Sequence, residues 1–206
     1  MGKSVFFIVP YPHGKAPSQR FRFEQYFSIL KKNGFTYNVK SFYSDKTWII
    51  LHQEGYVFSK AFRIVVAFFV RFIQLFQLKK YDFVFLHREA SPMGPPIFEW
   101  IIAKVLRKKI IYDFDDAIWL PNYSEANSFF QKLKYYGKVK SIIKWSHKVS
   151  TGNNYLAEFA EKINKNIVVN PTTIDTDNYH NPKLFSLQKS NKVVIGWTGT
   201  LTTGKY

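Results

Sequence analysis

Six short apolar runs, none joined to the next by a hairpin turn, constrain this 206-residue chain more than any other feature. They are Val5-Phe6-Phe7-Ile8-Val9, Phe35–Tyr43, Phe83-Val84-Phe85-Leu86, Lys109–Phe114, Lys148–Thr151 and Ile167-Val168-Val169. Runs this short and continuously apolar fit strands covered on both faces, the condition of a parallel sheet. Longer segments with helical periodicity separate them: Arg20–Lys32, closed by Asn33-Gly34, then Tyr56–Lys80, Pro95–Arg107, Ser124–Ser146 and Asn154–Ile163. The alternation predicts an α/β fold, a Rossmann-like, doubly wound and mainly parallel sheet. With 46% hydrophobic residues, including 21 Phe and 13 Tyr, the chain can fill such a core and is not compositionally disordered. It contains no cysteine, which excludes disulfides and zinc–thiolate sites.

The pattern predicts three stretches. Residues 1–170 form the main domain, and 171–191, polar and without strand character, read as an interdomain connection. Residues 192–206 then open again as a strand, Lys192-Val193-Val194-Ile195-Gly196-Trp197, followed by a Gly/Thr-rich loop ending in Lys205. A strand running into a small-residue loop is how a phosphate-binding βα unit starts. These last residues therefore read as the beginning of a second, truncated domain.

Charge narrows the partners. Thirty Lys+Arg against 14 Asp+Glu give a formal net charge of +16, which favours an anionic surface, substrate or polymer. Nucleic acid is disfavoured, because no helix-turn-helix, finger or aromatic RNA-binding signature occurs. The run Val5–Val9 is too short for a signal-peptide core. The longest apolar stretch, Ile64–Phe76, is interrupted by Arg71 and Gln74 and falls short of the ~20 residues of a membrane span. A cytoplasmic chain without a span is the expectation. In the same helix Lys60, Arg63, Ala67, Arg71 and Gln74 form a narrow polar stripe at steps of three and four, with apolar residues nearly everywhere else. Such a helix is either largely buried or lies in a membrane interface with its cations toward headgroups. Basic clusters at Lys31-Lys32, Lys79-Lys80 and Arg107-Lys108-Lys109 point to peripheral contact with anionic lipid.

The chemistry-bearing residues gather where strands end. Lys109–Phe114 delivers Asp113, and Asp115 and Asp116 follow at the edge where ligands of open α/β sheets bind. Three neighbouring carboxylates require cations, donors or water. They are open to three readings: a solvated, capping strand end, a divalent-cation motif of the Asp-x-Asp type, or part of a substrate cleft. The loop after the first strand carries Gly14, Ser18, Arg20 and Arg22, where glycine allows close approach and the arginines could hold an anion. It lacks Gly-x-Gly-x-x-Gly, so a dinucleotide cofactor is disfavoured. His87 and Arg88 follow the third strand, His87 as a hydrogen-bonded strand-end residue and Arg88 in an ordinary ion pair on the simplest view.

Taken in order, these segments resemble the family 4 glycosyltransferases of the GT-B fold. The likeness rests on the loop Gly14-Lys15-Ala16-Pro17-Ser18-Gln19-Arg20 and the strand Ile110-Ile111-Tyr112-Asp113-Phe114-Asp115-Asp116. It continues through Val149–Leu156, Asn170–Tyr179 and Gly196-Trp197-Thr198-Gly199-Thr200 to Lys205. The resemblance implies two Rossmann-like domains closing over a cleft, of which this chain supplies the acceptor-side half. It implies retaining transfer of a sugar from a nucleotide-sugar substrate to a glycan or lipid-linked acceptor, in cell-surface polysaccharide or glycolipid assembly, with no bound metal and no cofactor. The location would be the cytoplasmic face of a membrane. The implied roles are catalytic for Asp115 and Asp116, acceptor-binding for Gly14, Ser18, Arg20, Arg22, His87, Arg88 and Asp113, and donor-binding for Gly199, Thr200 and Lys205. The chain departs from the pattern in carrying Asp115-Asp116 where many relatives have His-Asp, and Gly199-Thr200 where they have Gly-Arg. Two rival readings remain: a non-enzymatic basic α/β module for anionic membrane or nucleic acid, and a metal-dependent GT-A transferase.

Overall fold

The computed structural model describes residues 2–51, 53–121, 134–178, 180–184, 193 and 196. Strands β1 (Ser4–Val9), β2 (Thr36–Ser41), β3 (Phe83–His87), β4 (Lys109–Phe114), β5 (Lys148–Thr151) and β6 (Ile167–Val169) form one all-parallel sheet in the order β2-β1-β3-β4-β5-β6. This is the Rossmann-like α/β fold that the apolar runs predict. The chain winds one way from β1 to β2 and then reverses to β3, so the switch point lies between β1 and β3. Alternation along the strands feeds two cores. On one face Phe6, Ile8, Val84, Leu86, Ile110 and Tyr112 pack with Leu75, Ile102 and Ile142 of the covering helices. On the other, Phe7 sits among the rings of Phe23, Phe27 and Phe85, with centroids 5.4, 5.3 and 4.8 Å away.

Several elements differ from expectation for identifiable reasons. The single helix expected over Arg20–Lys32 is two, α1 (Pro17–Arg22) and α2 (Phe27–Lys32), with a 3₁₀ turn at Glu24–Tyr26 between them. Arg22, Phe23 and Glu24 are consecutive and all buried. Successive positions of a regular helix point about 100° apart and cannot all face inward. The backbone breaks at Phe23, φ −146°. A short helix, α3 (Asp45–Leu51), follows β2 where none was expected, capped by Ser44, whose Oγ accepts the Thr47 N–H at 3.2 Å. The next, α4 (Val57–Gln77), runs on through a 3₁₀ turn at Leu78–Lys80. By length and composition Val57–Lys80 could cross a membrane, a longer apolar segment than Ile64–Phe76 suggested. Here it is the crossover between β2 and β3.

Helix α5 (Ile97–Trp100) starts two residues later than expected and ends in a π-helical turn, Ile101–Val105, with the Leu106 N–H bonded to the Ile101 carbonyl at 2.8 Å. Of the helix expected over Ser124–Ser146, residues 124–133 lie outside the described ones. The described part, α6 (Lys138–Trp145), begins after a turn at Tyr136-Gly137. Helix α7 (Asn154–Glu161) is capped by Asn153, which accepts the Leu156 N–H at 3.0 Å.

The chain divides into two compact units, Met1–Thr173 and Ile174–Tyr206. Near the end of the first, Gln25 Nε2 donates to the Thr173 carbonyl at 3.0 Å. In the second, Asp175 organises a turn by accepting the backbone N–H groups of Asp177 and Asn178, and a 3₁₀ turn follows at Pro182–Leu184. The expected strand and Gly/Thr loop of 192–206 lie outside the described residues, apart from Val193 and Gly196.

Candidate functional site

Register alone assembles the centre of the site. Parallel pairing aligns His87 of β3 with Asp113 of β4, and Asp113 with Ser150 of β5. Three polar side chains thus form a row on one face at the carboxyl ends of adjacent strands, beside the switch point. The His87 Nδ1 lies 2.9 Å from Asp113 Oδ2, and Ser150 Oγ donates to Asp113 Oδ1 at 2.7 Å. From α1, Arg22 reaches across 91 positions of sequence to bond both carboxylate oxygens of Asp113, and it also donates to the Asn170 carbonyl. Burial by itself would raise the Asp113 carboxyl, but the hydrogen bond and charge of His87, followed by those of Arg22, hold it below the usual aspartate value. The other ring nitrogen of His87, Nε2, is buried without a hydrogen-bond partner.

A second group lies at the tip of the same edge. Arg88 follows β3 with a left-handed φ of 58°, which turns its guanidinium over the β4 loop. It donates to Asp115 from Nε at 2.9 Å and pairs with both Asp115 and Asp116. Burial alone would lower the Arg88 pKa; Asp115, Tyr11 and Asp116 together raise it above its ordinary value. The Asp115 side chain is 14% exposed and that of Asp116 is 65% exposed, so Asp116 is the carboxylate that solvent or a ligand meets. Gly152 lets the β5 loop approach closely: a Cβ there would lie 3.1 Å from the Asp115 Cα. Lys138 of α6 pairs with Glu89 at 2.7 Å and donates to the Ser91 carbonyl, fixing the loop behind Arg88.

The first loop is folded on itself rather than open to an anion. Gly14, at φ 73°, donates its N–H to Glu24 Oε2 at 2.9 Å, and Gln19 clamps both the N–H and the carbonyl of Tyr11. Of the four residues expected to bind a ligand there, Gly14 and Arg22 have internal partners, Ser18 is half-buried and Arg20 is exposed over the Phe21 ring. Arg22 is therefore a positioning residue for Asp113, and the anion pairing expected of Arg20 with Arg22 does not form a unit. Gly199, Thr200 and Lys205 lie outside the described residues.

The arrangement joins His87, Arg88, Asp113, Asp115, Asp116 and Arg22 in one edge site. It adds Ser150, Gln19 and Glu24, which residue type alone did not single out; the strand-end register was the signal for Ser150. Fold and site together define a Rossmann-like α/β domain with a row of polar side chains at the carboxyl ends of its central strands. No protein-family model and no curated protein matches the chain.

Proposed function

We propose that this chain is the acceptor-side domain of a retaining, nucleotide-sugar-dependent glycosyltransferase of GT-B architecture, acting on a glycan or lipid-linked acceptor at the cytoplasmic face of a membrane. The observation that carries the reading is the carboxyl edge at the switch point, where a buried His87–Asp113–Ser150 row stands beside the Arg88-clamped pair Asp115 and Asp116. Ligands of open α/β sheets bind at this edge, and the order of motifs along the chain adds to it.

In this reading Asp116, the exposed member, accepts a hydrogen bond from the acceptor hydroxyl and orients it. Arg88 pairs with both adjacent carboxylates and occupies the position a divalent cation would take between them. Asp113 orients the His87 ring through Nδ1, and Arg22 fixes the Asp113 carboxylate in turn. Gly199, Thr200 and Lys205 would stabilise the leaving diphosphate, where electrostatic stabilisation contributes most to the rate.

The test is transfer from labelled nucleotide sugars by the complete gene product. Asp116→Asn is expected to lower kcat at least about tenfold through lost orientation, with the donor KM unchanged. Absence of transfer from every nucleotide sugar, or an unchanged kcat in Asp116→Asn, overturns the reading.

A further inference from the structure

Helix α4 wears its polarity inside out. The residues it buries include Arg71 and Gln74 of its polar stripe, together with Ile64, Ala67 and Leu75. On the opposite side Phe58 is 92% exposed, and Phe62, Val65, Phe69 and Phe76 are between 65% and 69% exposed. Val66, Val70, Phe72 and Ile73 are also exposed, so the apolar arc covers roughly 160° of the helix at 100° per residue. The helix cannot roll to hide this arc. The fully buried Arg71 guanidinium donates to the carbonyls of Val9, Lys40 and Ala90 and to Gln74 Oε1, all at 2.9 to 3.0 Å. Rolling would strand a buried cation and four acceptors. Soluble monomers rarely leave a patch of this kind open.

Width and charge identify what covers it. Phe58, Phe62, Val65, Phe69, Phe72 and Phe76 follow the alternating four-three spacing of a coiled-coil seam. A partner helix on that seam would still leave Val66, Val70 and Ile73 open. It would also miss Ile97, Trp100 and Val105, exposed on the neighbouring α5 segment, which packs on α4 through Phe68 and Phe98. A broad, deformable apolar phase covers all of them. At its C-terminal end the arc meets a groove of about 500 Å³ at the amino edge of the sheet, lined by Lys3, Lys79, Lys80, Arg107, Lys108 and Lys109 and by one carboxylate, Asp82, which accepts from Ser4. Lys108 is held in place there by the Tyr81 carbonyl at 2.7 Å. An apolar face continuing into a cationic groove complements the acyl boundary and phosphates of an anionic bilayer.

The geometry points to a monotopic docking face: α4 and the α5 segment lie in the interface of an anionic membrane, with Lys79, Lys80 and Arg107 on lipid phosphates. This inference stands independently of sugar transfer. Because α4 runs from the carboxyl edge of the sheet back to its amino edge, docking along its length brings the carboxyl edge of the sheet to the membrane rim.

The test is co-sedimentation of the 206-residue chain with vesicles of phosphatidylcholine, with and without phosphatidylglycerol, at several salt concentrations. The variants are Phe62→Glu/Phe69→Glu and Lys79→Glu/Lys80→Glu/Arg107→Glu; all five side chains are exposed, and unchanged circular dichroism and melting verify the fold. The expected result is salt-sensitive binding to the anionic vesicles with a blue shift of tryptophan emission. The phenylalanine variant should weaken binding more than about tenfold, and each lost cation roughly fivefold. Equal binding to both vesicle types, or no loss in the phenylalanine variant, overturns the proposal. So does a wild-type dimer in light scattering that Phe62→Glu/Phe69→Glu dissociates while no vesicle binding is seen.

Discussion

At the scale of single residues, Asp113 holds the site together. Its carboxylate is 1% exposed and receives Arg22, His87 and Ser150. Asp113→Asn leaves the buried Arg22 cation without its counter-charge, and such broken buried pairs lose roughly 3–5 kcal/mol. Because folding holds the Asp113 carboxyl below its ordinary value, its stabilisation is present above the unfolded pKa of about 4 and is lost as pH falls through the lower folded value. Urea unfolding of wild type and Asp113→Asn should therefore differ most at neutral pH and converge in strong acid. An equal gap at both pH values would show that the shift is not what stabilises the fold. Asp113 was legible as a strand-end carboxylate and His87 as a hydrogen-bonded strand-end residue, whereas their pairing with each other and with Arg22 was not. Nothing in the local sequence ties Arg22 to a residue 91 positions away.

Among the elements, strands were legible because a short apolar run has few alternatives, and β4, β5 and β6 occupy the expected residues. Helices failed where tertiary demands overrode periodicity. The α1–α2 break answers three consecutive inward residues, and α4 presents its apolar side outward because Arg71 finds its acceptors at the strand ends. A polar stripe on a helix shows that two faces differ. It does not show which one meets the protein when the buried cation has carbonyls waiting. The tight approach of the β5 loop to β4 was equally invisible, since it depends on Gly152 standing against the Asp115 backbone. Gly152→Ala places a methyl 3.1 Å from the Asp115 Cα and 3.4 Å from its carbonyl oxygen. Neither is a flexible tip, so the loops must separate, at about 1–3 kcal/mol. The expected result is a lower melting temperature together with displaced amide resonances at Asp115 and Asp116. Unshifted Asp115 and Asp116 resonances would mean the loops are not in contact in solution.

For the molecule as a whole, the charge distribution makes a prediction that separates folding from binding. The protein carries 30 cationic against 14 acidic side chains. Several of those acids are committed to buried or half-buried pairs: Asp113 with Arg22, Glu89 with Lys138, and Asp115 with Arg88. Salt screens such sheltered pairs little, but it strongly screens repulsion among exposed lysines, because the Debye length falls to about 8–10 Å near physiological ionic strength. Self-repulsion destabilises a compact state of high net charge. Raising salt from roughly 10 mM to 0.15 M should therefore raise the melting temperature, while the same change weakens attachment to anionic vesicles. Opposite signs in the two titrations on one preparation would place the surplus cations on the surface, free of internal partners and available to phosphate. A melting temperature that falls with salt would mean exposed ion pairs hold the fold together, and that the cations lining the amino-edge groove are already neutralised from within.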